Sequence, residues 1–152
     1  MYKTDTGGFG VGFRRMGFAE WNKDIANVID FAKENGFVSI DLARDGDQLG
    51  QQVLDSGLQI GSVDLPEWKQ LANPNDGARQ AAAEKNIAYI ETCSAMGIKN
   101  FFVVIQAVDG ASHRECFDAA LKGYAALGDT LEKADAWVVI EGCPALVSTP
   151  ET

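Results

Sequence analysis

The sequence is poor in the residues that most often carry metal and redox chemistry. It has one histidine, His113, and three cysteines, Cys93, Cys116 and Cys143, among 152 residues. An odd number of widely spaced cysteines forms neither a disulfide framework nor a zinc knuckle, and it fits a reducing compartment. Cys143 stands close to Glu141, but with no histidine beside it in sequence it reads as a small buried apolar residue rather than a reactive thiol. His113 falls in the first turn of an expected helix, where the helix dipole disfavours its cationic form, so a surface position is expected. Basic residues are also scarce, 13 against 22 acidic, for a net charge of -9. That balance counts against nucleic acid and anionic membrane as partners, because both require a basic face. Small neutral or cationic ligands, or an anion held by a local arginine pair, remain compatible with it. No apolar run approaches membrane-spanning length, and Met1 to Gly8 lacks a basic stretch leading into an apolar core; a cytoplasmic location is expected. A glycine-rich phosphate loop is missing too. Gly8-Phe9-Gly10-Val11-Gly12 has its glycines inside a strand, not in a strand-to-helix turn, which weakens a nucleotide-binding doubly wound domain.

What is present is an ordinary globular composition, 46% hydrophobic and 23% charged, expected to form a single domain over residues 1–152. Gly8 to Phe13 reads as a first strand that runs into the polar Arg14-Arg15, a pair suited to grasping carboxylate or phosphate or simply solvated. Asn22 is placed to cap a helix carrying Ile25, Val28, Ile29 and Ala32 on one face and ending at Asn35-Gly36. Phe37 to Leu42 follows as a second strand with Asp41 near its tip. Leu49, Val53 and Leu54 mark a second helix closed by Ser56-Gly57. Leu58 to Leu65 is the third strand, with Asp64 near its tip and Pro66 ending it. Glu67 to Gly77 reads as irregular, the kind of long segment that serves as a lid or binding loop. From Ala78 a helix runs to Met96. Asn100 to Gln106 is a fourth strand, continuously apolar from Phe101 to Ile105 and so expected to be buried on both faces, with Gln106 as its polar tip. Ser112 and Glu115 form a capping box for a helix carrying Phe117, Ala120, Leu121, Tyr124, Leu127 and Leu131.

The chain closes on Trp137-Val138-Val139-Ile140, a β-branched and aromatic run that reads as a fifth strand buried on both faces, with Glu141 where the apolar run stops. Strand and helix alternate with short connections, so consecutive strands are expected to be parallel with right-handed crossovers. In such folds ligands bind at the C-terminal ends of the strands. Arg14, Arg15, Asp41, Asp64 and Gln106 are therefore the candidate substrate-binding residues. Glu141 is the candidate metal ligand or acid/base group, and its bland alternative is a strand-end carboxylate that meets water.

Several stretches resemble the sugar phosphate isomerase/epimerase family, whose (β/α)8 barrel is similar to xylose isomerase and, more remotely, to endonuclease IV. Val11-Gly12-Phe13-Arg14 and Phe31-Ala32-Lys33-Glu34-Asn35-Gly36-Phe37 look like its first βα unit entering its second strand. Ala78-Arg79-Gln80 through Ala95-Met96-Gly97-Ile98-Lys99 look like its third helix and the entry to its fourth strand. Val139-Ile140-Glu141 looks like its fifth strand, whose terminal Glu is the first metal-binding carboxylate. The resemblance implies a partial TIM-type barrel of about five parallel strands and four helices. It implies a sugar or sugar-phosphate isomerase or epimerase that uses a divalent metal (Mn, Mg, Co or Zn) to remove a proton beside a carbonyl. Two departures stand out: Gln106 occupies the position where such proteins often carry a His, and the later Asp, His and Glu ligands have no counterpart. The metal is expected to be held weakly by this chain. Open sheet edges imply a homo-oligomer or a missing C-terminal half. The alternative is a non-catalytic carbohydrate-binding or interaction half-barrel; a nuclease is disfavoured by the acidic charge.

Overall fold

Apolar residues alternating with polar ones over short runs, separated by 3.6-periodic stretches, fold here into a βα repeat. The computed structural model describes residues 9–15 and 23–141. Gly8, Asn22 and Cys143 lie outside them. The chain divides into two compact units, residues 1–63 and 64–152.

In the first unit, strand β1 (Gly12–Arg14), strand β2 (Ser39–Asp41) and strand β3 (Gln59–Ile60) form a parallel sheet in the order β1-β2-β3. Helix α1 (Ile25–Glu34) connects the first two strands and helix α2 (Gly46–Asp55) the next two. Asp24 caps α1, its Oδ1 accepting from the Ala26 amide at 2.9 Å. Ile25, Val28, Ile29 and Ala32 are buried, as their spacing predicts. Gly36 then takes a φ of 76° that only glycine adopts without strain. Phe13 meets Phe31 edge-on at 5.7 Å and Phe37 at 4.9 Å, and Ile40 is fully buried. These contacts mark the helix-covered face of the sheet.

The expected third strand is broken into β3 and strand β4 (Val63–Asp64). Ser39 and Ile40 pair with Gln59 and Ile60, and the Gly61 amide donates to Ile40 O. An unbroken parallel ladder would next bring the Leu42 amide to Gly61 O, yet it donates to Ser62 O at 3.1 Å. One extra residue has entered the chain at Gly61-Ser62, which is a β-bulge.

In the second unit β4 leads a parallel sheet ordered β4-β5-β6, with strand β5 (Asn100–Val103) and strand β6 (Trp137–Ile140). Glu67 to Gly77 is largely regular. Trp68–Ala72 is a 3-10 turn with Leu71 and Ala72 buried, and helix α3 (Asp76–Ala95) starts at Asp76, capped by Asn75. The fully buried Asn86 accepts from the Glu67 amide at 3.2 Å, which fastens this segment to α3. It is part of the core wall and not a lid. The capping box forms as expected, Ser112 Oγ accepting from the Glu115 amide and Glu115 Oε2 accepting from the Ser112 amide. The long helix expected after it is two, α4 (His113–Ala125) and α5 (Gly128–Ala134). His113 is exposed in the first turn of α4. Cys93 and Cys116 are buried free thiols.

Two expectations fail in this unit. β5 ends at Val103, so Gln106 is not a strand tip but a loop residue three positions on. β6 is not buried on both faces: Trp137 is 66% exposed, Val139 43% and Ile140 51%. Among the described residues it pairs with β5 alone, and an edge strand leaves its outer side in solvent. No helix among the described residues is long and apolar enough to cross a membrane.

Candidate substrate site

Side chains alternate across a strand, so residues two apart share a face, and register partners on neighbouring strands share it too. Gly12 pairs with Ser39, which pairs with Gln59, and Arg14 pairs with Asp41. On the first sheet the face away from Phe13, Ile40 and Ile60 is therefore built from Gly12, Ser39 and Gln59 in one row. At the C-terminal end of the strands the next row holds Arg14 and Asp41, with Gly61 beside them. A helix-covered apolar face backs a wholly polar one.

Asp41 is held in place. Its Oδ1 accepts from the Ser62 amide at 2.8 Å. Arg15, the neighbour of Arg14, turns elsewhere and donates from Nη1 to Asp45 Oδ2 at 2.5 Å, pinning β1 to the 3-10 turn Ala43–Asp45 after β2. The arginine pair thus splits, Arg14 into the polar row with Asp41 and Arg15 into an ion pair.

In the second unit Asp64 ends β4 and is buried, 8% exposed. Gln106 lies half-buried in the loop after β5. Glu141 directly follows β6 and extends its ladder, its amide donating to Val103 O at 3.0 Å, with its side chain exposed. Glu141 shares the strand parity of Trp137 and Val139, the face opposite the one on which Phe101 packs edge-on against Tyr89 at 6.3 Å. The six residues singled out from sequence fall at or beyond the C-terminal ends of their strands. The structure joins Arg14 with Asp41, and separates Arg15 from that pair.

A divalent cation takes several oxygen or nitrogen ligands at once. Among the described residues no three His, Cys, Asp or Glu side chains come together to hold one. Glu141 offers a single carboxylate, so the described residues do not make a metal centre. A groove of about 400 Å³ lies in the second unit at the opposite, N-terminal end of β5, lined by Glu91, Ser94, Lys99, Thr130 and Lys133. Lys99 Nζ donates there to Ala134 O at the end of α5. Parallel α/β folds place their ligands at the other end of the strands, so this groove is not the candidate site.

Gly61 and Ser62 escaped the reading of the sequence. Their signal was the spacing of Ile60 and Val63. Two inward apolar residues three apart cannot share a face of an unbroken strand, so a bulge between them is required.

A parallel βα repeat with polar residues gathered at the strand C-termini is the architecture of a TIM-type barrel, present here as about half of one. The sequence matches the model of the xylose isomerase-like TIM barrel over residues 17–151, and the chain belongs to that family. It is similar in fold to 3-keto-D-glucoside 4-epimerase from E. coli, at 12% identity and a TM-score of 0.68, over 86% of this chain and 54% of that one. The IolI protein with a bound zinc atom matches at 14% identity and TM-score 0.73, over 94% of this chain and 56% of that one. The D-psicose 3-epimerase of Clostridium cellulolyticum H10, solved with D-tagatose, matches at 10% identity and TM-score 0.69, over 86% and 51% of the two chains. This chain thus spans about half the length of these structures. Among curated proteins none matches the sequence.

Proposed function

We propose that this chain supplies the substrate-binding half of a sugar or sugar-phosphate isomerase or epimerase, with residues 1–152 acting as one partial barrel domain. The observation that carries the reading is the polar row Arg14-Asp41 at the C-terminal end of a sheet whose other face is apolar and helix-covered. An arginine in register with an aspartate whose carboxylate is fixed by a backbone amide suits a polyol carrying an anionic end. In this reading Arg14 pairs with a phosphate or carboxylate and Asp41 accepts from sugar hydroxyls; within the second unit, Asp64 and Gln106 are the candidate hydroxyl acceptors. Arg15 acts through its bond to Asp45, holding β1 in place. Isomerisation or epimerisation removes a proton next to a carbonyl. Among the described residues Glu141 offers a divalent metal a single carboxylate, short of the set such an ion takes. The exposed apolar β6 fits association with a second copy or with further barrel strands, and a concentration-independent monomer in sedimentation would oppose that part.

The test is titration of the chain with D-tagatose and with a ketohexose phosphate, followed by amide chemical shifts. Asp41→Ala is expected to weaken both about tenfold, the worth of a hydrogen bond to a charged group. Arg14→Ala is expected to weaken the phosphate alone. Absence of binding to either compound at millimolar concentration would defeat the proposal. The lack of a metal-ligand set among the described residues favours a second reading, a carbohydrate-binding half-barrel without catalysis. Sugar binding unaffected by a chelator, with no turnover in the presence of Mn, Mg, Co or Zn, would place that reading ahead.

A further inference from the structure

The two polar side chains of β2 each rest over a glycine of a flanking strand. Ser39 lies over Gly12 of β1, where an added Cβ would come within 2.1 Å of Ser39 Oγ. Asp41 lies over Gly61, where an added Cβ would come within 2.4 Å of Asp41 Oδ1 and 3.6 Å of its Cγ. Ser39 Oγ is 3.7 Å from the same point, so the notch at Gly61 opens on the polar face of the sheet. Gly61 is also where the bulge inserts its extra residue, and the next residue, Ser62, turns its amide onto Asp41 Oδ1 at 2.8 Å.

These facts have one geometric cause. The Gln59 and Gly61 amides donate to Val38 O and Ile40 O on the β2 side, so a regular strand would point the Ser62 amide away from it, and a side chain at 61 would fill the space that the carboxylate now occupies. The bulge turns that amide toward β2, and the missing side chain lets Asp41 reach it. We infer that Gly61 is a positioning residue that seats the Asp41 carboxylate against the Ser62 amide. The inference rests on the reading of Asp41 as an acceptor for sugar hydroxyls, and it deepens that reading by specifying how the acceptor is oriented. A carboxylate on a free side chain loses rotamer entropy when it binds; one already seated has lost it on folding. Gly61 therefore acts on affinity through Asp41 without touching the sugar.

The test uses the whole chain as wild type, Asp41→Ala, Gly61→Ala and the double variant. The first readout is the Ser62 amide proton in a pH series from 2.5 to 7. In the wild type its chemical shift is expected to follow a single carboxyl titration, because the acceptor gains or loses its charge. The titration is expected to vanish in Asp41→Ala and in Gly61→Ala. A Ser62 amide that is flat in wild type, or that titrates undiminished in either variant, overturns the inference. The second readout is D-tagatose affinity. Gly61→Ala is expected to lose as much as Asp41→Ala, about tenfold, and the double variant no more than either. Additive losses in the double variant overturn the inference. A merely structural glycine would leave affinity untouched at temperatures where the variant is folded, and that result also overturns it. If Gly61→Ala does not fold, removal of the obstructing carboxylate is expected to rescue it, so a double variant that remains unfolded counts against the inference. If wild type binds no sugar while the Ser62 amide behaves as described, the proposed function fails and the seat stands.

Discussion

Replacing Gly123 by alanine separates two opposed effects, and the structure decides between them. Gly123 is in the last turn of α4, where alanine is better than glycine by up to about 1 kcal/mol. A Cβ there would come within 2.1 Å of Leu71 O, 2.9 Å of Leu71 C and 3.1 Å of Leu71 Cα. The obstacle is backbone in the Trp68–Ala72 turn, whose Leu71 is fully buried, so no side-chain rotation relieves the overlap. The turn is also anchored from α4 itself, since the Tyr124 hydroxyl donates to Trp68 O at 3.4 Å. Overpacking of this kind costs about 1–3 kcal/mol, and an immovable partner puts Gly123→Ala near about 3. The net expectation is a loss of about 2 kcal/mol, or about 4–8 °C in the thermal midpoint for a chain of this size. Gly128→Ala is the control: nothing lies within 4 Å of its added Cβ, and it is expected to be neutral or to stabilise by up to about 1 kcal/mol. Thermal melting by circular dichroism, with urea titration to check that the slope is unchanged, reads both. A Gly123→Ala protein that melts at or above wild type would refute the close approach of α4 to the Leu71 backbone.

Phe101→Ala is expected to cost about 3–5 kcal/mol in urea unfolding, because Phe101 is fully buried and packs edge-on against Tyr89. Glu115 carries a pH signature: hydrogen bonds from the Ser112 hydroxyl and amide hold its carboxyl below the usual 4.5. Its folded value is depressed, so the contribution is present above pH about 4.5 and lost as pH falls through the lowered value. Amide protection in the first turn of α4 should decline there in wild type and be independent of pH over that range in Glu115→Gln. Tyr124 shows the opposite sign. Burial pushes its hydroxyl well above the usual 10, so its contribution is complete below that value and is lost as pH rises further. Absorbance at 295 nm should show late tyrosine titration coupled to unfolding, and Tyr124→Phe should reduce its amplitude by one tyrosine.

How far the fold could be read from the sequence depended on whether local signals or pairing decided each element. Helix ends were legible where a side chain closes its own backbone, as at Ser112 with Glu115 and at Asn35-Gly36. They were not where several caps compete within a few residues: Asp24 caps α1, and Asn75 starts α3 before Gly77, a residue that argued for a loop. The break between α4 and α5 was hidden because Leu127 is fully buried and keeps the apolar rhythm, while the backbone turns around it. The polar row was half legible. Arg14 and Asp41 stood out as strand-end charges, but their pairing in one register and the diversion of Arg15 to Asp45 depend on strand order, which no local pattern encodes.

β6 shows the limit most sharply. An unbroken apolar run predicts burial on both faces only if a strand lies on each side and a layer covers each face. Trp137, Val139 and Ile140 meet the sequence condition and, among the described residues, have a strand on one side alone. The same residues that would close a barrel therefore form its open edge in the described structure, and Glu141 stands at the end of that edge. A single carboxylate on an uncovered strand has neither the companion ligands nor the excluded water that make a metal site tight. Mn²⁺ should accordingly bind this chain more weakly than about 1 mM, the weak end of biological carboxylate sites, as read by calorimetry. Glu141→Gln should change that little. Submillimolar binding that Glu141→Gln abolishes would mean that further ligands assemble around Glu141, and the half-barrel would then be a metal site in its own right.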